Sequence, residues 1–255
     1  MDWFDLHGKV AIVTGGNGGI GLGIAHGLAR AGADIAVAAR NPQKTRSAVE
    51  QLSGLGVRAV GLQTDVTDPG HIQKMVSDTK SALGGVDILV ANAGMSIRKR
   101  PETYTLEEWS TVITTNLTGV FACCHAVYPE LKARGGGKIV TIGSMTSIFG
   151  LAMAAPYAST KGGVVQLTKT LASAWAADNI QVNCILPGWI STELTEGARR
   201  AIPGLHENVI ERTPMKRWGE PQDLAGAAVF LCSPASDFVT GVALPVDGGF
   251  SASMF

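Results

Sequence analysis

The chain of 255 residues carries 21 Lys and Arg against 21 Asp and Glu, so no global basic field draws it to nucleic acid or to an anionic membrane surface. Hydrophobic residues make up 45% and glycines number 32, which excludes a disordered chain and suits buried parallel strands joined by short turns. The four cysteines, Cys123, Cys124, Cys184 and Cys232, lack CxxC spacing; no disulfide framework and no metal site is expected, and they read as buried thiols.

From the start, Met1 to Lys9 interleaves charge with apolar side chains and has neither a basic n-region nor an apolar h-region. No signal peptide is expected. The apolar runs elsewhere fall short of the roughly 20 residues of a membrane helix, so the chain is expected to be cytoplasmic with no membrane partner. Runs rich in Val, Ile and Ala predict strands at 9–14, 34–39, 58–63, 86–91, 138–142, 181–186 and 241–246. Segments of helical period predict helices at 19–31, 42–53, 68–83, 106–134, 156–177 and 221–232. This alternation predicts an α/β fold: one domain over 1–255, a doubly wound parallel sheet of about seven strands with helices on both faces. The stretch 189–217 has no clear period and reads as a substrate-binding loop.

The first strand runs into Thr14-Gly15-Gly16-Asn17-Gly18-Gly19-Ile20-Gly21 and then a helical pattern. Glycines there let backbone N–H groups approach an anion, and the helix N-terminus adds positive charge, so a dinucleotide pyrophosphate would fit, as in a Rossmann fold. Two parses are open: Gly16-x-Gly18-x-x-Gly21, or Gly15-x-x-x-Gly19-x-Gly21. At the carboxyl end of the second strand, where the adenosine ribose is read, stands Ala39-Arg40-Asn41; the acid of that strand, Asp34, opens it and lies at the wrong edge. Arg40 therefore predicts NADP(H), because a guanidinium suits a 2′-phosphate; NAD(H) remains the alternative, since the glycine turn carries no second basic residue.

Pro156 opens the fifth helix, and Tyr157 and Lys161 lie one turn apart on its face. A free phenol ionises near pH 10, so acid/base work near neutrality needs a nearby cation, which Lys161 and the helix terminus supply. Ser144 follows a strand at the carboxyl edge, where parallel sheets collect their sites, and could donate to a substrate carbonyl. Asn116 lies inside a helical pattern that it suits poorly, which fits a polar task.

On these residues the chain resembles the short-chain dehydrogenases/reductases over nearly its whole length. Thr14-Gly15-x-x-x-Gly19-Ile20-Gly21 is similar to the family's cofactor turn, Asp65-Val66 to its adenine-contacting pair, and Asn92-Ala93-Gly94 to the element ending the fourth strand. Asn116, Ser144, Tyr157 and Lys161 resemble the catalytic tetrad, Pro187-Gly188 the turn beside the nicotinamide, and Asp247-Gly248-Gly249 the C-terminal signature. The resemblance implies hydride transfer between nicotinamide C4 and a ketone or secondary alcohol. Tyr157 would exchange the proton, Ser144 orient the oxygen, Lys161 bind the nicotinamide ribose, and Asn116 hold a water leading from Lys161. It further implies cofactor contacts at Asn17, Gly18, Ile190 and Thr192 besides the motif residues, and often a homotetramer.

Within the family, Arg217-Trp218-Gly219-Glu220-Pro221, Ser144-Met145 and the basic run 98–100 look like the branch of gluconate 5-dehydrogenase and 2-deoxygluconate 3-dehydrogenase, with 3-oxoacyl-carrier-protein reductases sharing most motifs. Arg98, Lys99 and Arg100 could clamp a substrate carboxylate, or form a solvated loop or an oligomer contact. Met95, Met145, Phe149, Trp189 and Leu194 make the expected pocket apolar, which also suits a hydrophobic ketone. A dinucleotide-binding sensor without turnover is the reading from another functional class.

Overall fold

All five residues of β1 (Val10–Thr14) are buried, as expected of a strand covered on both faces. The computed structural model describes residues 3–253; the first two and last two residues, on which part of the N-terminal reading rests, lie outside them. β1 is joined by β2 (Asp34–Ala39), β3 (Ala59–Gln63), β4 (Ile88–Ala91), β5 (Gly137–Ile142), β6 (Ile180–Pro187) and β7 (Ala243–Val246). They form one sheet in the order β3-β2-β1-β4-β5-β6-β7, and each adjacent pair is parallel. The chain order reverses between β1 and β4, so a crevice must open there at the carboxyl edge.

Side-chain alternation divides the core into two layers. Val10 and Ile12 join Met75 of α3 (Pro69–Leu83) and Val127 of α5 (Gly119–Ala133) on one face. Ala11 and Val13 meet Ile24 and Leu28 of α1 (Gly19–Arg30) on the other. Each fully buried Ile or Leu contributes roughly 1.5–3 kcal/mol by leaving water. Helix starts are marked as the sequence suggests: the Asn41 side chain accepts from Lys44 N at α2 (Pro42–Ser53), and Asp68 accepts from Gly70 N and His71 N at α3. All four cysteines are free and buried.

Four expectations need correction. The helix expected over 106–134 is α4 (Leu106–Ile113), a π-turn (Thr114–Thr118) and α5 in one continuous run. That run, Leu106–Ala133, is long and apolar enough to cross a membrane by length and composition, contrary to the reading that no segment reaches that length. Its inner face, with Cys123, Cys124, Val127 and Leu131, is buried in the core, as the main helix of a packed domain must be. The stretch 189–217 is not a loop but carries α7 (Glu193–Ala201) and α8 (Leu205–Arg212). The helix expected from 221 begins as a 3-10 turn, Pro221–Leu224, before α9 (Ala225–Cys232).

The amino edge of the sheet is tied by carboxylates. Asp87 accepts from Val10 N at 2.9 Å and from Arg134 Nε at 2.8 Å. Asp34 takes Arg58 through its backbone N and guanidinium, which confirms that it lies away from the ribose end.

Candidate active site

At the carboxyl edge a cleft of about 540 Å³ runs across the β1/β4 switch point. Its floor begins at the glycine turn. Gly15 and Gly19 take φ of +63° and +49°, a region that β-carbons disfavour. At Gly21 a Cβ would lie 2.4 Å from Gly15 O, so this glycine lets α1 approach the strand closely. Positive φ falls on Gly15 and Gly19, of the Gly15-x-x-x-Gly19-x-Gly21 parse, while Gly16 of the other parse would press a Cβ to 2.9 Å from Val13 O. Gly18 has no protein atom within 4 Å of its Cβ position and lines the cleft; it is a cradle that a side chain would fill. Asn92 fixes the turn by donating through Nδ2 to Thr14 O at 2.9 Å and to Gly15 O at 3.3 Å.

From β2 the wall continues through Ala39, Arg40 and Asn41 and onto Lys44, in the first turn of α2. Lys44 is a second cation that the strand-end reasoning missed; it stands one helical turn beyond Arg40's neighbour Asn41, the helix cap. Asp65 and Val66 complete this side. Asp65 Oδ1 accepts from Thr67 N and Oγ1. Those bonds, with the Arg40 charge, hold its carboxyl below the usual carboxylate range.

The chemistry-bearing end is built by β5 and α6 (Ala155–Trp175). Ser144 caps the 3-10 turn Met145–Ser147, its Oγ accepting from Thr146 N at 3.1 Å. One hydroxyl lone pair is thereby used, and its proton is left to donate. Tyr157 lines the cleft beside it, and its hydroxyl has no hydrogen-bond partner among the described residues. Lys161 is 5% exposed, with Nζ donating to Ile142 O at 2.7 Å and lying 5.5 Å from the Tyr157 ring centroid. No carboxylate pairs with this ammonium among the described residues. A buried cation held by a single neutral acceptor is costly unless it has a task.

The far wall comes from Pro187, Gly188, Ile190 and Thr192 with the start of α7. Thr192 caps α7 in a reciprocal pair with Thr195, and a Cβ on Gly19 would lie 3.3 Å from Thr192 Cγ2. The first turn of α7 therefore sits over the glycine turn. Arg199 of this helix packs on Trp218: its guanidinium lies 3.7 Å over the Trp218 ring, His206 stacks on that ring, and Trp189 meets it edge-on. The Asp247-Gly248-Gly249 turn packs against Thr213, Pro214 and Met215, just after α8. Asp247 caps Gly249 N and Ser251 N, while a Cβ on Gly248 would press on Thr213.

Every residue expected to hold the cofactor lines this cleft: Gly15, Asn17, Gly18, Gly19, Ile20, Arg40, Asp65, Val66, Asn92, Ala93, Gly94, Tyr157, Lys161, Pro187, Gly188, Ile190 and Thr192. Of the substrate set, Ser144, Tyr157 and Leu194 line it, as does Met95. Met145 and Trp189 do not: Met145 is 6% exposed within the core, and Trp189 packs against that core and Trp218. Phe149 likewise turns to Phe250. Apolar character alone cannot separate a pocket wall from core.

Asn116 is fully buried in the π-turn and lies behind the wall. Its Oδ1 accepts from Met95 N at 2.8 Å and its Nδ2 donates to Met95 O at 2.8 Å. The side chain is thus a clamp on the loop after β4. In the basic run, Lys99 pairs with Glu108 and Arg100 with Glu102, and neither lines the cleft. Arg98 donates to Leu194 O at 3.3 Å, at the cleft rim.

Comparison with known proteins agrees with this geometry. A family model described as enoyl-(acyl carrier protein) reductase matches residues 15–251. The 2-dehydro-3-deoxy-D-gluconate 5-dehydrogenase of Formosa agariphila is 39% identical over 255 residues, 100% of this chain and 97% of the relative. The gluconate 5-dehydrogenase of Gluconobacter oxydans is 40% identical, covering 99% of this chain and 98% of that one. The crystal structure of a gluconate 5-dehydrogenase from Burkholderia cenocepacia in complex with NADP and tartrate superposes with a TM-score of 0.94 at 39% identity, covering 99% of both chains. Fold, cleft and full-length relatives coincide: the chain belongs to the short-chain dehydrogenase/reductase family of oxidoreductases.

Proposed function

We propose that the protein is an NADP(H)-preferring dehydrogenase that interconverts a secondary alcohol and a ketone on a small hydroxy acid of the sugar-acid class, with Tyr157 as general acid/base. The observation that carries this reading is the convergence of Ser144, Tyr157 and buried Lys161 on the wall of the dinucleotide cleft. The open cradle at Gly18 and the two cations Arg40 and Lys44 suit a pyrophosphate and a 2′-phosphate respectively.

When bound, the nicotinamide supplies or accepts the hydride at C4. The chain's own residues handle the oxygen. Ser144 donates its remaining proton to the substrate oxygen and fixes its direction. In alcohol oxidation the Tyr157 oxygen takes the hydroxyl proton as the carbinol hydride leaves; in ketone reduction Tyr157 returns that proton. The Lys161 ammonium stands 5.5 Å from the Tyr157 ring centroid, and Ile142 O keeps it oriented. Two Nζ protons remain for the nicotinamide ribose. Asn116 acts as a positioning residue, holding Met95 and the loop after β4.

Support for the sugar-acid class comes from the names of the full-length relatives and the tartrate in the Burkholderia complex, together with Arg98 at the rim. In this reading the segment 189–217 is a substrate-binding lid on a single catalytic domain. A cytoplasmic homotetramer completes it, supported by exposed Leu106, Trp109 and Phe121 along α4 and α5; light scattering coupled to size exclusion tests the assembly. The decisive experiment is a steady-state screen of keto-sugar acids, 3-oxoacyl thioesters and bulky ketones with NADPH and NADH. The highest kcat/KM should fall on a keto-sugar acid with NADPH. A best substrate without a carboxylate would overturn the substrate class, and dinucleotide binding with no turnover across the panel would overturn the enzymatic reading.

A further inference from the structure

Lys44 does not face the cleft unoccupied. Its Nζ lies 2.7 Å from both Oε1 and Oε2 of Glu193, the first residue of α7. Both side chains line the cleft, and both are solvent-accessible, Lys44 at 49% and Glu193 at 81%. The pair spans from the first turn of α2, where Arg40 and the Asn41 cap sit, to the first turn of the lid helix over the glycine turn. It joins the ribose-reading side of the cleft to its roof.

We propose that Glu193 is a specificity-determining residue for the dinucleotide: its carboxylate holds Lys44, and a 2′-phosphate must compete with it for that ammonium. The inference rests on the reading of the cleft as an NADP(H) site and deepens it. A phosphate monoester near neutrality carries close to two negative charges and three acceptor oxygens, against one charge on the carboxylate. An exposed ion pair is weak, so the phosphate wins; what Glu193 does is reduce the margin. A dinucleotide without the 2′-phosphate makes no demand on Lys44 and leaves the link between α2 and α7 in place. Glu193 therefore narrows the preference for NADP(H) over NAD(H), working through Lys44, while Arg40 has no carboxylate ion-pair partner among the described residues and creates that preference.

The test is direct binding, by calorimetry, of 2′,5′-ADP and 5′-AMP to the wild type, Glu193→Gln, Lys44→Met and the double variant. Glu193→Gln should tighten 2′,5′-ADP about three- to fivefold, the scale of an exposed pair, and leave 5′-AMP unchanged. In the Lys44→Met background the same replacement should have no effect on either nucleotide. A merely structural role would move both nucleotides together, so equal changes, or an unchanged 2′,5′-ADP affinity in Glu193→Gln, overturn the inference. If the wild type binds 2′,5′-ADP no better than 5′-AMP, the NADP(H) reading itself fails, an outcome separate from an unresponsive Glu193.

Discussion

Tyr157 and Lys161 are placed by α6 so that the ammonium lies beside the phenol ring while Ile142 O anchors it from behind. Replacing Tyr157 by Phe keeps the ring and removes only the proton carrier. Turnover should drop by about 10²–10⁴, the usual worth of a general acid/base, with NADPH affinity within a few fold; stopped-flow turnover and fluorescence titration measure the two quantities. A variant with wild-type kcat would remove Tyr157 from the mechanism. Arg40, just past the end of β2, is one of the groups that lower the Asp65 carboxyl. Arg40→Ala should raise KM for NADPH about tenfold or more while NADH changes little, since a charge-assisted contact to phosphate is lost from one cofactor only. Equal changes in both constants would contradict the assignment. At this scale the sequence was highly legible for residues whose type is dictated by chemistry, such as Ser144, Tyr157, Lys161 and the turn glycines. It was poorly legible for Met145, Trp189 and Phe149, because an apolar side chain serves a core and a pocket equally well.

At the scale of elements, the glycine turn separates two kinds of constraint. Gly21 faces Gly15 O, so Gly21→Ala forces the turn apart and should lower both melting temperature and dinucleotide affinity. Gly18 faces open space within the cleft, so Gly18→Ala should leave the melting temperature near wild type and weaken dinucleotide binding alone. Differential scanning calorimetry beside a binding titration distinguishes them; parallel losses in both variants would mean that Gly18 is structural too. Strands and most helices could be read from period because each buries a face. The π-turn could not, since one additional residue in a helical turn changes which side chains face inward without interrupting the helical composition. The segment Thr114-Thr115-Asn116 nevertheless carries a weak sign, β-branched residues beside an Asn within a helix. The lid helices were missed for a different reason. They sink little into the core, α7 chiefly at Ala198 and α8 at Val209, and are held instead by stacking on Trp218, a contact that no local pattern encodes.

Across the whole molecule, function and stability occupy opposite edges of the sheet. The carboxyl edge holds the cleft; the amino edge holds Asp87, which bridges β1 and the residue after α5 through Val10 N and Arg134. Asp87→Ala leaves a backbone donor and a guanidinium without their acceptor. It should lower the unfolding free energy by about 2–3 kcal/mol, read by urea denaturation, while KM for NADPH stays within twofold. A large change in KM would show that the two edges are coupled. The doubly wound topology was readable from the order of strand-like and helix-like segments, because parallel strands need crossovers and right-handed crossovers leave few alternatives.

The burial of every cysteine has a practical corollary. Desolvation pushes the Cys123 and Cys232 thiols up to about 12 and raises Cys124 and Cys184 as well, and only a thiolate attacks an alkylating reagent. The intact protein should therefore resist alkylation until a segment opens. With Cys123 and Cys124 on α5, Cys184 on β6 and Cys232 on α9, mass spectrometry of pulse-alkylated peptides would time the exposure of three separate regions from a single sample, with no engineered probe.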